Sequence, residues 1–365
     1  MWPTVKPLRI GPVKMIPAMN RHVEHKHRLS ELRTAMYNFS EDDVRAKLKS
    51  LSTRDTVFRL GFPFEDVLGP DAFFAQSYAP LVSAWPDLER RDSIVVAGED
   101  TLGNDWVGCC GNYVGTFCSP WLDIPATGLP TQMRFHEFYR FVDGKVVETH
   151  MLWDIPEVML QAKAWPLVPA LGKEGPVPGP ADCSGLTTGV IDEDQSQATQ
   201  LLIMNMINAM IRHPAEGGPE VMQLEKYWHP NMCWYGPSGI GSTRGIQGFR
   251  LAHQIPFLNA MPDRGVHSSG TEHHFFSENQ FAAVTGWPNM TQTLSHGGWL
   301  GLAPTGQRVN LRSLDFWRVE KGLIRENWVL VDLLDVYQQL GIDVFARLRE
   351  FCQRPSAEYF VGVSA

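Results

Sequence analysis

The clearest pattern in this chain is an alternation of side-chain character that occurs twice. RFHEFYRFVDGKVVETHMLWD (134–154) and RSLDFWRVEKGLIRENWVLVD (312–332) each read as two strands around a tight turn. The turns are Asp143-Gly144 and Lys321-Gly322. The two hairpins belong to a longer repeat. Residues 127–161 and 305–339 align without a gap at an offset of 178, with identities at 11 of 35 positions. Upstream, Gly69, Pro80, Ala84 and Pro86-Asp87 recur as Gly245, Pro256, Ala260 and Pro262-Asp263 at an offset of 176. A two-residue insertion between 264 and 305 accounts for the change. The repeat unit is therefore a whole domain and not a solenoid repeat of 20–50 residues.

The remaining pattern fills in each copy. DSIVVAGE (92–99) and DWVGCCGNYVGTF (105–117) read as strands, rich in β-branched and aromatic residues. SEDDVRAKLKSL (40–51) opens on Ser40 and places Val44, Leu48 and Leu51 at helical spacing. Residues 70–84 read as a helix broken near Pro80, with the counterpart 246–260 carrying Pro256. Residues 155–164, 198–212 and 333–350 also read as helical, the Met-rich 198–212 through core packing. The predicted layout is an N-terminal arm (1–39), a first domain (40–164), an extended Pro/Gly-rich linker (165–197), a second domain (198–350) and a tail (351–365). Each domain is expected to be α+β, a cone-shaped barrel in which a curved antiparallel sheet carries helices on one side.

Length and composition fit this plan. At 365 residues, 44% hydrophobic and 20% charged, the chain holds enough apolar material for two cores. A net charge of −8 disfavours nucleic acid as a partner. No apolar run approaches a membrane span. The start lacks the apolar segment of a secretory signal, and the six cysteines form no CxxC pair. A cytoplasmic protein with reduced thiols is the expectation. Two histidine-rich segments invite a metal reading: HVEHKHR (22–28), with His22, His25 and His27, and HSSGTEHH (267–274), with His296 beyond it. Neither has the spacing of a zinc site, so no metal is expected and 22–28 reads as a solvated basic patch.

Candidate chemistry lies on the hairpins. On the last strand, Glu326, Trp328, Leu330 and Asp332 share one face, as do Glu148, His150, Leu152 and Asp154 in the first copy. Large apolar side chains mixed with a carboxylate suit the wall of a ligand cavity. An Asp held there has a disfavoured anion and a raised pKa, as a general acid/base requires. Asp332 reads equally as the N-cap of the following helix, and Glu326 and Glu148 as salt-bridge partners of nearby Arg. On the neighbouring strand Arg312, Leu314, Phe316 and Arg318 face one way, and Ser313, Asp315, Trp317 and Val319 the other. Which set meets the cavity is open. His136, in the first copy, is a candidate proton-transfer partner or a satisfied buried histidine.

The ordered set MPD (261–263), TLSHGGWLGLAPTG (293–306), DFWRVEKGLIRENWVLVD (315–332) and QQLG (338–341) resembles the SnoaL-like polyketide cyclases of the nuclear transport factor 2-like superfamily. WPD (85–87), GTF (115–117), ATG (126–128) and FYRFVDGKVVETHMLWD (138–154) are the more diverged first copy. The resemblance implies two tandem cone-shaped domains with deep apolar pockets. It also implies acid/base chemistry without metal or cofactor, an intramolecular aldol closure or isomerisation of an apolar carbonyl compound. The catalytic aspartate it implies is Asp332, and through the repeat Asp154. Trp328, Glu326, Leu330, Arg312, Asp315, His296, His150, Glu148 and His136 would then contact substrate. Where the family often has Glu-His-Trp, this chain has Glu326-Asn327-Trp328 and Glu148-Thr149-His150. The same fold also serves non-catalytic binding or scaffold proteins, which is the alternative. Because single-domain relatives pair through their sheets, the two domains are expected to form an internal pseudo-dimer, with further homo-oligomerisation open.

Overall fold

The structure is a computed structural model that describes residues 20–186, 189–265 and 269–352. Helices α1 (Arg21–Tyr37) and α2 (Glu41–Leu51) lead into strands β1 (Ser52–Leu60) and β2 (Asp66–Leu68). Helix α3 (Pro70–Phe73), a π-helical turn (Phe74–Tyr78) and α4 (Ala79–Ala84) follow. The first domain closes with β3 (Glu89–Glu99), β4 (Asp105–Thr116), β5 (Pro130–Val142), β6 (Lys145–Trp153) and α5 (Ile155–Gln161). The second begins with α6 (Glu193–Met210), β7 (Trp228–Tyr235) and β8 (Thr243–Arg244). It continues through α7 (Gly245–Phe249), a second π-helical turn (Arg250–Gln254) and α8 (Ile255–Ala260). Strands β9 (His274–Glu278), β10 (Phe281–Thr285), β11 (Met290–Thr293), β12 (Arg308–Leu311), β13 (Ser313–Glu320) and β14 (Leu323–Val331) precede α9 (Leu333–Gln339) and α10 (Val344–Phe351).

Each domain carries one six-stranded sheet, in the orders β2-β1-β6-β5-β4-β3 and β8-β7-β14-β13-β10-β9. The two tandem α+β domains are as expected, but each sheet is mixed, not antiparallel throughout, and does not close into a barrel. The first long strand of each domain returns beside the last one in parallel, β1 on β6 and β7 on β14. Both hairpin turns form as expected. Asp143, Gly144, Lys321 and Gly322 all have φ between 49° and 77°, the left-handed pair of a type I′ turn. The expected helix break falls just before the prolines. Ala79 N–H reaches Phe74 O and Ile255 N–H reaches Arg250 O, five residues back, so a π-turn carries the chain up to Pro80 and Pro256.

Three sequence expectations change. Residues 21–37, within the expected arm, form a helix that docks on the protein: Leu29, Leu32 and Met36 are buried in the first domain's core, and Lys26 pairs with Glu278 of the second domain. The basic run is thus docked, and only part of it is solvated. Helix α6 starts at Glu193 behind an Asp192 cap, inside the expected linker. That linker is pinned along its length. Lys173 and Ser242 exchange two backbone hydrogen bonds of 2.8 Å, and Trp328 Nε1 donates to Pro178 O at 2.8 Å.

The two sheets pack face to face. Ile94, Val96, Trp106, Phe138 and Leu152 meet Phe276, Phe281, Leu314, Phe316 and Trp328 in one buried cluster. Phe138 and Phe316, equivalent residues in the repeat, lie ring to ring at 5.0 Å. The opposite face of each sheet closes over its own helices. Both faces of each central strand are therefore buried. No helix among the described residues is long and apolar enough to cross a membrane.

Candidate functional site

The carboxylate-bearing face lies at the junction between the domains and not over a cavity. Asp332 Oδ2 accepts from Phe62 N of the first domain at 3.0 Å and from Arg312 Nη1 at 3.2 Å. Its Oδ1 caps α9 through Asp335 N at 3.2 Å. Asp154 makes the reciprocal contact, accepting from Ser238 N of the second domain at 3.1 Å and from Arg134 Nη2 at 3.3 Å. The crevice between them offers about 20 Å³, enough for one water and too little for a small-molecule ligand. Burial pushes the Asp332 carboxyl up to about 7, against the pull of Arg312, and burial also raises Asp154. Their partners are backbone N–H groups and arginines that join the domains. A Cβ on Gly61 would come within 2.8 Å of the Leu152 side chain and 3.1 Å of Asp332 Oδ2, so a larger residue there would push these side chains aside.

The other candidates on that face are also engaged at the junction. Glu326 holds Arg318 at 2.6 Å. Glu148 holds Arg140 at 2.8 Å and lies 3.2 Å from His150; burial raises its pKa, but His150, Arg140 and Arg59 outweigh that and hold it at about 2. His150 Nδ1 meets Thr285 Oγ1 at 2.7 Å, across the domain boundary. His136 Nδ1 meets Leu314 O at 2.6 Å. Trp328, Leu330 and Arg312 lie on the same junction. His296 is exposed on a turn beside Ser295. His267 lies outside the described residues, and no metal-binding group of three His, Cys, Asp or Glu is gathered among the described ones.

The opposite face of β13 and β14 builds a different site. Ser313, Asp315, Trp317, Asn327, Val329 and Val331 line a cavity of about 400 Å³ inside the second domain. Trp228, Trp234, Phe249, Phe257 and Trp299 complete its aromatic walls, and His253, Gln254, Arg264 and Gln292 add polar groups. Local structure sets each in place. The π-turn presents the consecutive His253 and Gln254 to the cavity, and His253 stacks on Trp234 at 4.2 Å. Asn289 holds the Ser313 backbone from both sides, at 2.8 and 3.0 Å. Asp263 of the repeated Pro-Asp accepts from Thr293 N at 2.9 Å and so fixes the turn that carries Arg264.

The electrostatics of this cavity are unusual for a hydrophobic core. Burial pushes Asp315 up to about 7, against a 2.6 Å hydrogen bond from Ser313 Oγ and the charge of Arg264. Asp315 and Arg264 both line the cavity and are partly accessible. Burial lowers His253 to about 3, so its imidazole is neutral. Several buried polar atoms here have no partner among the described residues. They are His253 Nδ1, both amide atoms of Gln254, Gln292 Oε1 and the indole nitrogens of Trp228, Trp299 and Trp317. Buried polar atoms are rarely left unpaired unless something else binds them.

The first domain shows the same architecture with its interior filled. Glu137 stands at the position of Asp315 and is saturated: Tyr113 Oη (2.8 Å), Trp153 Nε1 (3.0 Å), Tyr139 Oη (2.6 Å) and Arg90 Nη1 (2.5 Å) all donate to it. Across the repeat, Phe135, Met151 and Trp153 become Ser313, Val329 and Val331. Each exchange removes bulk from the inward face in the second copy. Tyr139/Trp317 and Thr149/Asn327 run the other way, but by smaller volumes. Sequence reasoning did not single out His253, Gln254, Arg264, Gln292 or the aromatic walls. The size difference between the copies was the available signal.

Comparison with known proteins agrees with this architecture. A family model described as SnoaL-like polyketide cyclase matches residues 30–162 and 218–340. Similar solved structures include AclR of Streptomyces galilaeus (22% identity, TM-score 0.33), which matches over 40% of this chain and 86% of its own. IdmH of Streptomyces antibioticus (19%, TM-score 0.33) matches over 38% and 98%. A SnoaL-like protein from Jannaschia sp. CCS1 (19%, TM-score 0.33) matches over 40% and 95%. Each relative thus spans about one of the two domains. No curated protein matches the chain significantly.

Proposed function

We propose, for a chain that belongs to the SnoaL-like polyketide cyclase family, that the second-domain cavity is its working site and that Asp315 is the acid/base group. The observation that carries this is Asp315 itself. It is a carboxyl with a pKa near neutrality, hydrogen-bonded only to Ser313 among the described residues, and it faces an aromatic cavity with unpartnered polar atoms. A volume near 400 Å³ lies within the ordinary range of small-molecule sites.

In this reading the ionised Asp315 takes a proton from the carbon α to a ligand carbonyl. The electron pair of that C–H bond becomes the enolate, whose oxygen meets Gln254 Nε2 or an indole N–H. The enolate carbon attacks a second carbonyl of the same molecule. Protonated Asp315 returns the proton to the resulting alkoxide, so no net proton is consumed. The same deprotonation, followed by return of the proton from Asp315 to a different carbon of the conjugated enolate, gives an isomerase. Asp332 and Asp154 act here as interdomain clamps. The first domain, with Glu137 saturated, supports the second domain's site and does not duplicate it.

The test is solvent deuterium incorporation at the methyl group of 2-acetonaphthone in D₂O, followed by NMR. The wild-type chain accelerates exchange, and Asp315→Asn reduces it to background while circular dichroism is unchanged. Full exchange activity in Asp315→Asn, or loss of it in Asp332→Asn with Asp315 intact, refutes the assignment.

A further inference from the structure

Arg264 has no hydrogen bond or ion pair to any other described residue, although it lines an aromatic cavity and is partly buried there. Guanidinium stays protonated under all ordinary conditions, and burial lowers Arg264 only to about 10. An ion in that setting loses much of its hydration, a loss that buried charges normally recover through a partner.

The first domain shows what a closed pair looks like in this fold. Arg90 lies 2.5 Å from Glu137 and 3.0 Å from Asp92, with Arg90 and Glu137 buried and the Asp92 side chain only 6% exposed. In the second domain the acid at the Glu137 position, Asp315, acts on Arg264 only through space. One methylene shorter than glutamate, it bonds to Ser313 instead. The fork of Arg264 is left for something that enters the cavity.

We infer that the ligand of this cavity is an aromatic carboxylate, and that Arg264 is the residue that selects it. A carboxylate matches the planar guanidinium with two parallel N–H···O bonds, and the strength of such charge-assisted contacts gives the selectivity. Trp234, stacked with His253, and Trp299, edge-on to Phe257 at 5.2 Å, supply flat apolar walls for the ring system. This inference rests on the reading of the cavity as the ligand site.

Isothermal titration of the full chain with 2-naphthoate and with methyl 2-naphthoate, at pH 6, separates the two. At this pH the probe is ionised and Asp315 is largely neutral. The expected result is at least tenfold tighter binding of the acid, which corresponds to about 1.4 kcal/mol. Arg264→Met brings acid and ester within about twofold of each other while ester affinity is retained, and Arg264→Lys keeps part of the preference. Equal affinity in the wild type, or a preference that survives in Arg264→Met, overturns the carboxylate inference and leaves the cavity reading standing. Binding of neither probe overturns both. If Arg264→Met does not fold, the wild-type comparison of acid with ester still decides.

Discussion

The same position in the two domains should respond in opposite directions when its charge is removed. Asp315→Asn keeps the shape of the neutral carboxyl and eliminates the anion. One pKa unit is worth about 1.4 kcal/mol, so a carboxyl moved from 3.8 to about 7 makes the ionised form costlier in the folded state by about 4 kcal/mol. Partial screening within the cavity reduces this to about 2–4 kcal/mol. The folded pKa lies above the unfolded one, so the wild type loses stability as pH rises from about 4 to about 7. The asparagine variant escapes that loss: its gain is complete above pH 7, shrinks between 7 and 4, and vanishes below. Glu137→Gln does the reverse. It turns one of the two oxygens that serve four donors into an NH2 and removes the charge that pairs with buried Arg90, at a cost of about 3 kcal/mol. At roughly 2 °C per kcal/mol for a unit of this size, calorimetry at pH 8 should show Asp315→Asn melting about 4–8 °C higher and Glu137→Gln about 6 °C lower. At pH 5 the Asp315→Asn gain should fall to less than half. If Asp315→Asn is no more stable than wild type at pH 8, the picture of a buried, unpaired acid facing the cavity is wrong.

Three further outcomes follow from the same geometry. The α-deuterium exchange rate should rise through about pH 7 as Asp315 ionises and then level off; a profile flat from pH 5 to 9 would count against Asp315 as the base. Asp332→Ala leaves Phe62 N–H, Asp335 N–H and Arg312 without their shared acceptor, so it should cost about 2–3 kcal/mol. Its exchange rate per folded molecule should stay within about twofold of wild type. Trp153→Val removes the largest plug of the first domain and a donor to Glu137, for a loss of about 3–5 kcal/mol by urea titration; a loss under 1 kcal/mol would mean that this interior is not tightly filled.

The duplication, the hairpins with their left-handed turns and the segregated helices were all legible in the sequence, because each rests on local chemistry: glycine in the turn, alternation in the strand, caps on the helix. The site was legible only in part. Alternation assigns residues to two faces, and it names the inward face only when the other is polar. Here Glu326, Trp328, Leu330 and Asp332 are buried against the first domain, while Asn327, Val329 and Val331 are buried around the cavity. Both faces therefore look like core. Paired arginines such as Arg318 and Arg312 gave the junction face its carboxylates, which is why it resembled a reactive wall. The parallel pairing of β1 with β6 was not legible because it joins strands far apart in sequence, and no local signal reports that.

What distinguishes the faces is the difference between the copies. At the junction the charged clamps and the central ring contact keep their role, Arg134 and Arg312, Asp154 and Asp332, Phe138 and Phe316, while His136/Leu314 and His150/Trp328 do not. Cavity residues diverge in size and chemistry: Phe135 and Ser313, Trp153 and Val331, Tyr78 and Gln254, Leu88 and Arg264. A tandem chain needs both domains to build the junction but only one to hold a ligand. Filling the first interior with Trp153, Phe135 and the Glu137 network stabilises the platform. The second can then tolerate an unpaired Asp315 and an unpartnered Arg264, groups whose cost to folding is what leaves them available to a ligand.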